Sequence, residues 1–296
     1  MTPELIESPA ALAALCDELK TQDCIAVDTE FAREKSYFPH IGLIQIAGDD
    51  RIACIDPLVF DAKPQLSELL FNNSITKVFH ACLQDLEVLE LTLGEKPCPL
   101  FDTQVATALM NEDHQISYAR LVENELNIQL AKSETRTDWL RRPLTKAQLE
   151  YAADDVRFLL SLYNQQLGEL EALQRSKWMH EECNRLCSIT LNNQDDLSHC
   201  WTRVKGKERL RGIELAVLQQ ASIWREQQAI AKDRTRRRIL ADDQLVQIAV
   251  RQPKNTSELA QVGRVRKLLE MSELDSLSDA ICSAYSTAES EWPSLK

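Results

Sequence analysis

Cys24-Ile-Ala-Val-Asp28-Thr-Glu30-Phe31 is an apolar run broken by two carboxylates. It reads as a buried strand. Side chains alternate along a strand, so Asp28 and Glu30 share one face. Two carboxylates on a buried face repel each other and lose hydration. The pair persists there if something positive joins it, and all-oxygen ligation points to a hard ion such as Mg²⁺ or Mn²⁺. The alternative is a fraying strand end at which both acids are solvated. Two further acids bear on the choice.

Asp85, in His80-Ala-Cys-Leu-Gln-Asp-Leu, follows a short strand and falls in the first turn of a helix. An acid there also complements the helix dipole. The other segment is 149–167, whose apolar face is set by Leu149, Val156, Leu159, Leu160, Tyr163 and Leu167. At roughly 100° per residue, Asp155 lies roughly 100° from the centre of that face and Tyr151 roughly 40° from Asp155. Asp154 points roughly 160° away, toward water. Ala152 and Ala153 leave room for a neighbouring element.

The surrounding pattern places a helix from Ser8-Pro9 to about residue 20, strands at 24–31, 42–47 and 51–56, and a helix at 64–70. A strand at 76–80, a helix at 83–93, a brief strand at 100–101 and a helix at 103–110 capped by Asp102 follow. Further helices are expected at 118–126 and, unbroken, at 145–173, with a loop at 136–143 between them. Three adjacent strands followed by alternating strands and helices predict a mixed sheet flanked by helices. No strand pattern returns after residue 173. Helices are expected near 176–190, 209–233, 242–251, 256–260, 264–271 and 273–286, with a boundary in 192–207. The second unit is all-α.

The chain has 296 residues, 44% of them hydrophobic, enough for one ordinary domain and a smaller one. No apolar run reaches membrane-spanning length and the N-terminus carries no basic leader, so a cytoplasmic protein is expected. Nine scattered cysteines are then expected as reduced thiols. His180, Cys183 and Cys187 hint at zinc, with His199 or Cys200 as the nearby fourth ligand, but their spacing also suits an apolar helix face. The formal net charge is −12, yet residues 201–240 carry 11 Lys and Arg against 4 Asp and Glu. A basic block on an acidic chain can track phosphates, although a charge run is also how a helix stays solvated.

Asp28-x-Glu30, a central Asp85 and Tyr151-x-x-x-Asp155 resemble the three motifs of the DEDD exonuclease superfamily, tyrosine branch. The histidine branch would need His at position 150, which is Glu150 here. With Leu43-Ile-Gln-Ile, His80-Ala-x-x-x-Asp85-Leu, Trp139-Leu-Arg-Arg-Pro-Leu and Tyr151-Ala-Ala-Asp-Asp155-Val, the first 170 or so residues look like the bacterial ribonuclease D family. Residues 218–240, with Ile223-Trp-Arg-Glu-Gln-Gln and Asp233-Arg-Thr-Arg-Arg-Arg-Ile-Leu, resemble the helicase-and-RNase-D C-terminal (HRDC) domain. The resemblance implies an α/β ribonuclease H-like exonuclease domain over 1–175, a helical linker over 176–207 and an HRDC domain over 208–290.

It further implies a 3′–5′ exoribonuclease that releases 5′-mononucleotides and trims tRNA precursors. Asp28, Glu30, Asp85 and Asp155 would hold two Mg²⁺ or Mn²⁺ ions roughly 3.5–4 Å apart. Tyr151 would orient the attacking water with Glu30 as its partner, since a phenol is a poor base at neutral pH. Arg234, Arg236, Arg237 and Arg238 are the nucleic-acid-binding candidates. RNA is the expected partner, and a monomer is expected. Trp224 is expected in the core; core packing is expected for Phe31, with a base wedge as the alternative; Gln45 is either a core residue or a substrate contact. His80 is assigned a structural hydrogen bond. A DNA 3′–5′ exonuclease would use the same four acids. A non-catalytic RNA-binding protein would have lost one of them. A helicase would need a Gly-x-x-x-x-Gly-Lys-Ser/Thr loop, which the chain lacks.

Overall fold

The interrupted run forms a strand, β2 (Cys24–Ala32), inside a six-stranded sheet. The computed structural model describes residues 2–110, 114–130, 137–189 and 197–295. It contains two compact units: Met1–Ala32 with Pro39–Leu191, and Arg33–Phe38 with Asn192–Lys296.

In the first unit the other strands are β1 (Glu4–Ile6), β3 (His40–Ala47), β4 (Ile52–Ile55), β5 (Thr76–Phe79) and β6 (Leu100–Asp102), in the spatial order β1-β4-β3-β2-β5-β6. β3 is antiparallel to both neighbours, and the remaining pairs are parallel. The expected mixed sheet is therefore present. β1 was not foreseen; three residues are too few to show a period.

Helices α1 (Pro9–Leu19), α2 (Lys63–Leu70), α3 (Leu83–Leu93), α4 (Thr103–Leu109), α5 (Tyr118–Leu126), α6 (Lys146–Arg157), α7 (Leu159–Ala172) and α8 (Ser176–Ser188) flank the sheet. Ile25, Val27, Ile44, Ile46, Val78 and Phe79 build the main core with α1, α2 and α3. A smaller cluster of Leu43, Cys54, Trp139 and Ala152 packs α6 against β3 and β4. The single helix expected over 145–173 is broken at Phe158, whose backbone N–H donates to the Tyr118 hydroxyl at 3.2 Å. Apolar periodicity runs through the break, so it left no trace in the pattern.

The expected linker at 176–207 has a different character. α8 buries Met179, Cys183 and Leu186 in the core of the first unit. Part of the expected boundary at 192–207, and the ends of the loop at 136–143 and of the helix at 176–190, lie outside the described residues. Cys187 of α8 is joined to Cys98 by a disulfide, which corrects the expectation of reduced thiols for that pair; seven other cysteines are free. It also removes a ligand from the zinc reading. Among the described residues no group of three candidate metal ligands includes His180 or Cys183.

The second unit contains α9 (Ile213–Ala231), α10 (Arg236–Ile239), α11 (Asp242–Arg251), α12 (Thr256–Leu259), α13 (Val265–Leu268) and α14 (Met271–Ser286), and no strand among its described residues. Its core gathers Trp201, Leu218, Trp224, Leu245, Ile248, Leu277 and Ile281. Trp224 is buried, as expected, and its Nε1–H donates to Ser276 at 3.0 Å. The unit also takes in Arg33–Phe38 from the β2–β3 connection. Asp233 Oδ1 accepts the backbone N–H groups of Tyr37 and Phe38, both at 2.9 Å, and the Tyr37 hydroxyl donates to Glu226 at 2.6 Å.

Candidate active site

β2 and α6 bring three of the expected acids together. Asp28 and Glu30 share one face of β2, and α6 packs across β2, β3 and β4. Its N-terminus is fixed by a reciprocal pair of hydrogen bonds between Thr145 and Gln148, and Ala152 and Ala153 are fully buried. Side chains this small let the helix come close to the strands. One oxygen each from Asp28, Glu30 and Asp155 lies within 4.8 Å of the others. Asp154 is not in the group; Arg157 holds its carboxylate at 2.7 Å.

Asp85 lies beside this group rather than within it. It lies buried in the first turn of α3, and its carboxylate accepts the Thr29 hydroxyl at 2.5 Å. Thr29 sits between Asp28 and Glu30 in sequence, so by alternation it points away from their face. Asp85 therefore stands outside the 4.8 Å group, although its charge still acts on all three members. Asp102 sets the turn that carries it. Besides capping α4 through the N–H of Gln104 at 2.8 Å, it accepts the N–H groups of Ala81 and Cys82 at 3.0 and 2.8 Å. Thr29 and this second role of Asp102 escaped the sequence reading. His80 is structural: its Nε2 lies 3.0 Å from the Ile116 carbonyl and must carry the proton, while Nδ1 faces Thr103 Oγ1 at 2.9 Å.

The electrostatics show what the cluster lacks. Burial, reinforced by neighbouring carboxylates, holds Asp28 well above the usual range and pushes Glu30 up to about 9. Burial likewise raises Asp85 and Asp155 to about 7. Among the described residues, every charge acting strongly on these four is another carboxylate. The metal-free cluster is therefore unfavourable when ionised, and an all-oxygen donor set of this kind fits a hard divalent cation.

Tyr151, one turn before Asp155, has its hydroxyl raised by burial and by the charges of Asp155, Glu30 and Asp28. Its ring lies 6.2 Å from that of Trp139. The Trp139 loop is clamped in turn: Arg142 donates to buried Asp56 at 2.8 Å, to the Trp139 carbonyl at 2.8 Å and to the Gly42 carbonyl at 2.6 Å. A β-carbon on Gly42 would stand 2.7 Å from the Trp139 carbonyl oxygen, so that position has to be glycine. Gly42 is also the extra residue of a bulge, because Glu30 pairs with Leu43 while Phe31 pairs with Ile41. Phe31 is half-buried and belongs to none of the apolar clusters among the described residues, contrary to the core role expected for it.

Residues 3–171 match the family model for a 3′–5′ exonuclease, and 214–272 match that of the HRDC domain. Ribonuclease D of Pseudomonas paraeruginosa is 39% identical over 98% of this chain and 77% of its own length. Ribonuclease D of Zymomonas mobilis is 42% identical over 87% of this chain and 66% of its own. The chain belongs to the ribonuclease D family. The crystal structure of Escherichia coli RNase D, titled an exoribonuclease involved in structured RNA processing, superposes with a TM-score of 0.84 at 33% identity, covering 99% of this chain and 78% of that one.

Membership makes the chain a nuclease hydrolase with 3′–5′ exoribonuclease activity, built as a ribonuclease H-like exonuclease domain followed by a helical HRDC domain. The family depends on divalent metal, in agreement with the donor set described above. No helix among the described residues is long and apolar enough to cross a membrane.

In the HRDC domain the four candidate arginines separate. Arg236 is bound inward: its Nε donates to Glu226 at 2.6 Å, and its guanidinium lies 4.9 Å from the centroid of the Tyr37 ring. Arg234, Arg237 and Arg238 are exposed.

Proposed function

We propose that Asp28, Glu30, Asp85 and Asp155 hold two divalent ions, Mg²⁺ or Mn²⁺, and that the chain releases 5′-mononucleotides one at a time from the 3′ end of RNA. The observation that carries this reading is the approach of Asp28, Glu30 and Asp155 to within 4.8 Å on the family's motif positions. Such ions, when bound by these carboxylates, would supply Lewis acidity for attack by water and charge stabilisation for the departing 3′ oxygen. The protein's part is to hold and orient the carboxylates, and to place the water. Tyr151 serves that last role through its hydroxyl, protonated across the working pH range because burial and three acids raise it. It orients the water and takes no proton from it. Glu30, whose charge acts on Tyr151, is its partner there.

Structured RNAs with 3′ extensions, tRNA precursors among them, are the proposed substrates, in keeping with the RNA processing named for the Escherichia coli relative. The proposed setting is the cytoplasm, and the proposed working form is a monomer. The exonuclease domain over 1–175 performs the cleavage and the HRDC domain over 208–290 adds grip through Arg237 and Arg238. The four named acids, rather than any basic residue, set the chemistry.

The deciding experiment is a time course on matched RNA and DNA oligomers with free or blocked 3′ ends, with and without EDTA. Mononucleotides from the free-ended RNA alone, abolished by EDTA, support the proposal. Equal digestion of DNA would make the chain a general 3′–5′ exonuclease, and metal-independent release would end the two-ion reading. Tyr151→Phe should cut turnover about tenfold, much less than loss of a ligand, with RNA affinity unchanged in a binding assay. Arg237→Ala with Arg238→Ala should weaken RNA binding and lower the slope of log affinity against log salt by about 1–2, measured by fluorescence anisotropy across a salt series.

A further inference from the structure

Gln45 is out of place in its surroundings. It sits in β3 within Gly42–Ala47, every residue of which is buried, and it is itself 0% exposed. That exposure rules out direct contact with substrate, one of the two roles its sequence position suggests. Among the described residues neither its amide nitrogen nor its amide oxygen has a hydrogen-bond partner. Other buried glutamines in the same unit are better satisfied. Gln166 donates to the Thr103 carbonyl at 3.1 Å and to Thr107 Oγ1 at 2.9 Å, and Gln148 pairs with Thr145. An amide with both ends unpaired in the interior costs free energy that an apolar side chain of similar shape would avoid.

The strand register says what the amide is near. Gln45 pairs directly with Asp28 on β2, so the two side chains share one face. Directly opposed residues have their β-carbons about 4.5–5.5 Å apart. A glutamine at that separation reaches its neighbour's carboxylate by rotation about its own side-chain bonds. On its other side Gln45 pairs with Cys54, whose thiol is already directed to the Leu149 carbonyl. The Asp28 carboxylate is thus an acceptor within reach of the amide.

We propose that Gln45 is a positioning residue for Asp28, its side-chain N–H donating to the ionised carboxylate and turning it toward the cation. This rests on the reading of Asp28 as a ligand. The role is that of the hydrogen-bonding groups behind metal ligands generally, whose removal weakens metal binding about 10–100-fold. An apolar residue would suit the metal-free fold better and the loaded site worse.

The test uses the full chain, stripped of metal and titrated with Mn²⁺ in a calorimeter, for the wild type, Gln45→Met, Gln45→Leu and Asp28→Asn. Gln45→Met should bind Mn²⁺ about tenfold or more weakly. Its melting temperature without metal should be unchanged or higher. The Mn²⁺ needed for half-maximal nucleotide release should rise by the same factor, with turnover largely recovered at saturating Mn²⁺. Gln45→Leu should repeat the binding defect. If both Gln45 variants bind Mn²⁺ like the wild type while Asp28→Asn does not, the positioning role is overturned and the site stands. If Asp28→Asn also binds normally, the site itself is wrong. If the Mn²⁺ defect of the two Gln45 variants follows a fall in melting temperature, the role is packing and the proposal fails.

Discussion

Asp28→Asn is expected to lower Mg²⁺-dependent nucleotide release by at least about three orders of magnitude, because a metal ligand supplies several kcal/mol of transition-state stabilisation. The same variant should melt no lower than the wild type in the absence of metal. The two halves have one cause. Burial, reinforced by Asp85, Asp155 and Glu30, holds the Asp28 carboxyl well above the usual range and favours its neutral form. Asparagine is close in shape and charge to that neutral form. The metal-free fold therefore loses nothing and is relieved of repulsion, while the loaded site loses a ligand it cannot replace. Substitution of a core residue behaves in the opposite way, with stability falling first. Measurement of product release together with calorimetric melting separates the cases. A clear drop in melting temperature, or activity within tenfold of wild type, would show that Asp28 is structural. Asp154→Asn serves as the control: its carboxylate is held by Arg157 and lies outside the cluster, so activity should stay within about twofold.

The contrast between Asp154 and Asp155 could be read from helical angle alone. So could the shared face of Asp28 and Glu30, which needs only the period of a strand. Both are local, repeating properties, and short-range geometry fixes them before any tertiary contact forms. What escaped the sequence is long-range and singular. Thr29 meets Asp85 across 56 positions, Arg142 meets Asp56 across 86, and Cys98 is bonded to Cys187 across 89. No periodicity encodes such pairs. Arg236 shows the same limit from another direction. Its place in a basic run suggests phosphate, and only the folded unit shows Glu226 and Tyr37 already occupying it. The break at Phe158 was hidden because Tyr118, a residue of another helix, supplies the acceptor there. The family motifs bridged part of this gap. They named Asp85 as a partner of the β2 acids without indicating that its carboxylate would rest on Thr29.

The stability of the metal-free protein should fall as the pH rises from 5 to 8, by roughly 5–10 °C in melting temperature, and Mg²⁺ should abolish the fall. In the unfolded chain the four carboxyls titrate near 4. In the folded chain Asp85 and Asp155 are raised to about 7 and Glu30 to about 9, with Asp28 also well above its ordinary value. A group with a raised folded value binds its proton more tightly when folded. Its contribution is complete below the unfolded value and is lost as the pH passes through the folded one. For Asp85 and Asp155 that window runs from about 4 to about 7, and for Glu30 it extends to about 9. Two other buried groups act with the opposite sign. His80 is lowered by burial and opposes the fall in the acid part of the range; Lys77, lowered to about 8, opposes it only from there upward. Subtracting the profile of Asp155→Asn from that of the wild type cancels both. The difference should grow steadily less favourable to the wild type through pH 7. Bound Mg²⁺ replaces the missing protons, so its stabilising effect should be small at pH 5 and large at pH 8. A wild-type profile that stays parallel to that of Asp155→Asn, or equal stabilisation by Mg²⁺ at both ends of the range, would mean that the acids are already neutralised by the protein itself. The case for a cation among them would then be lost.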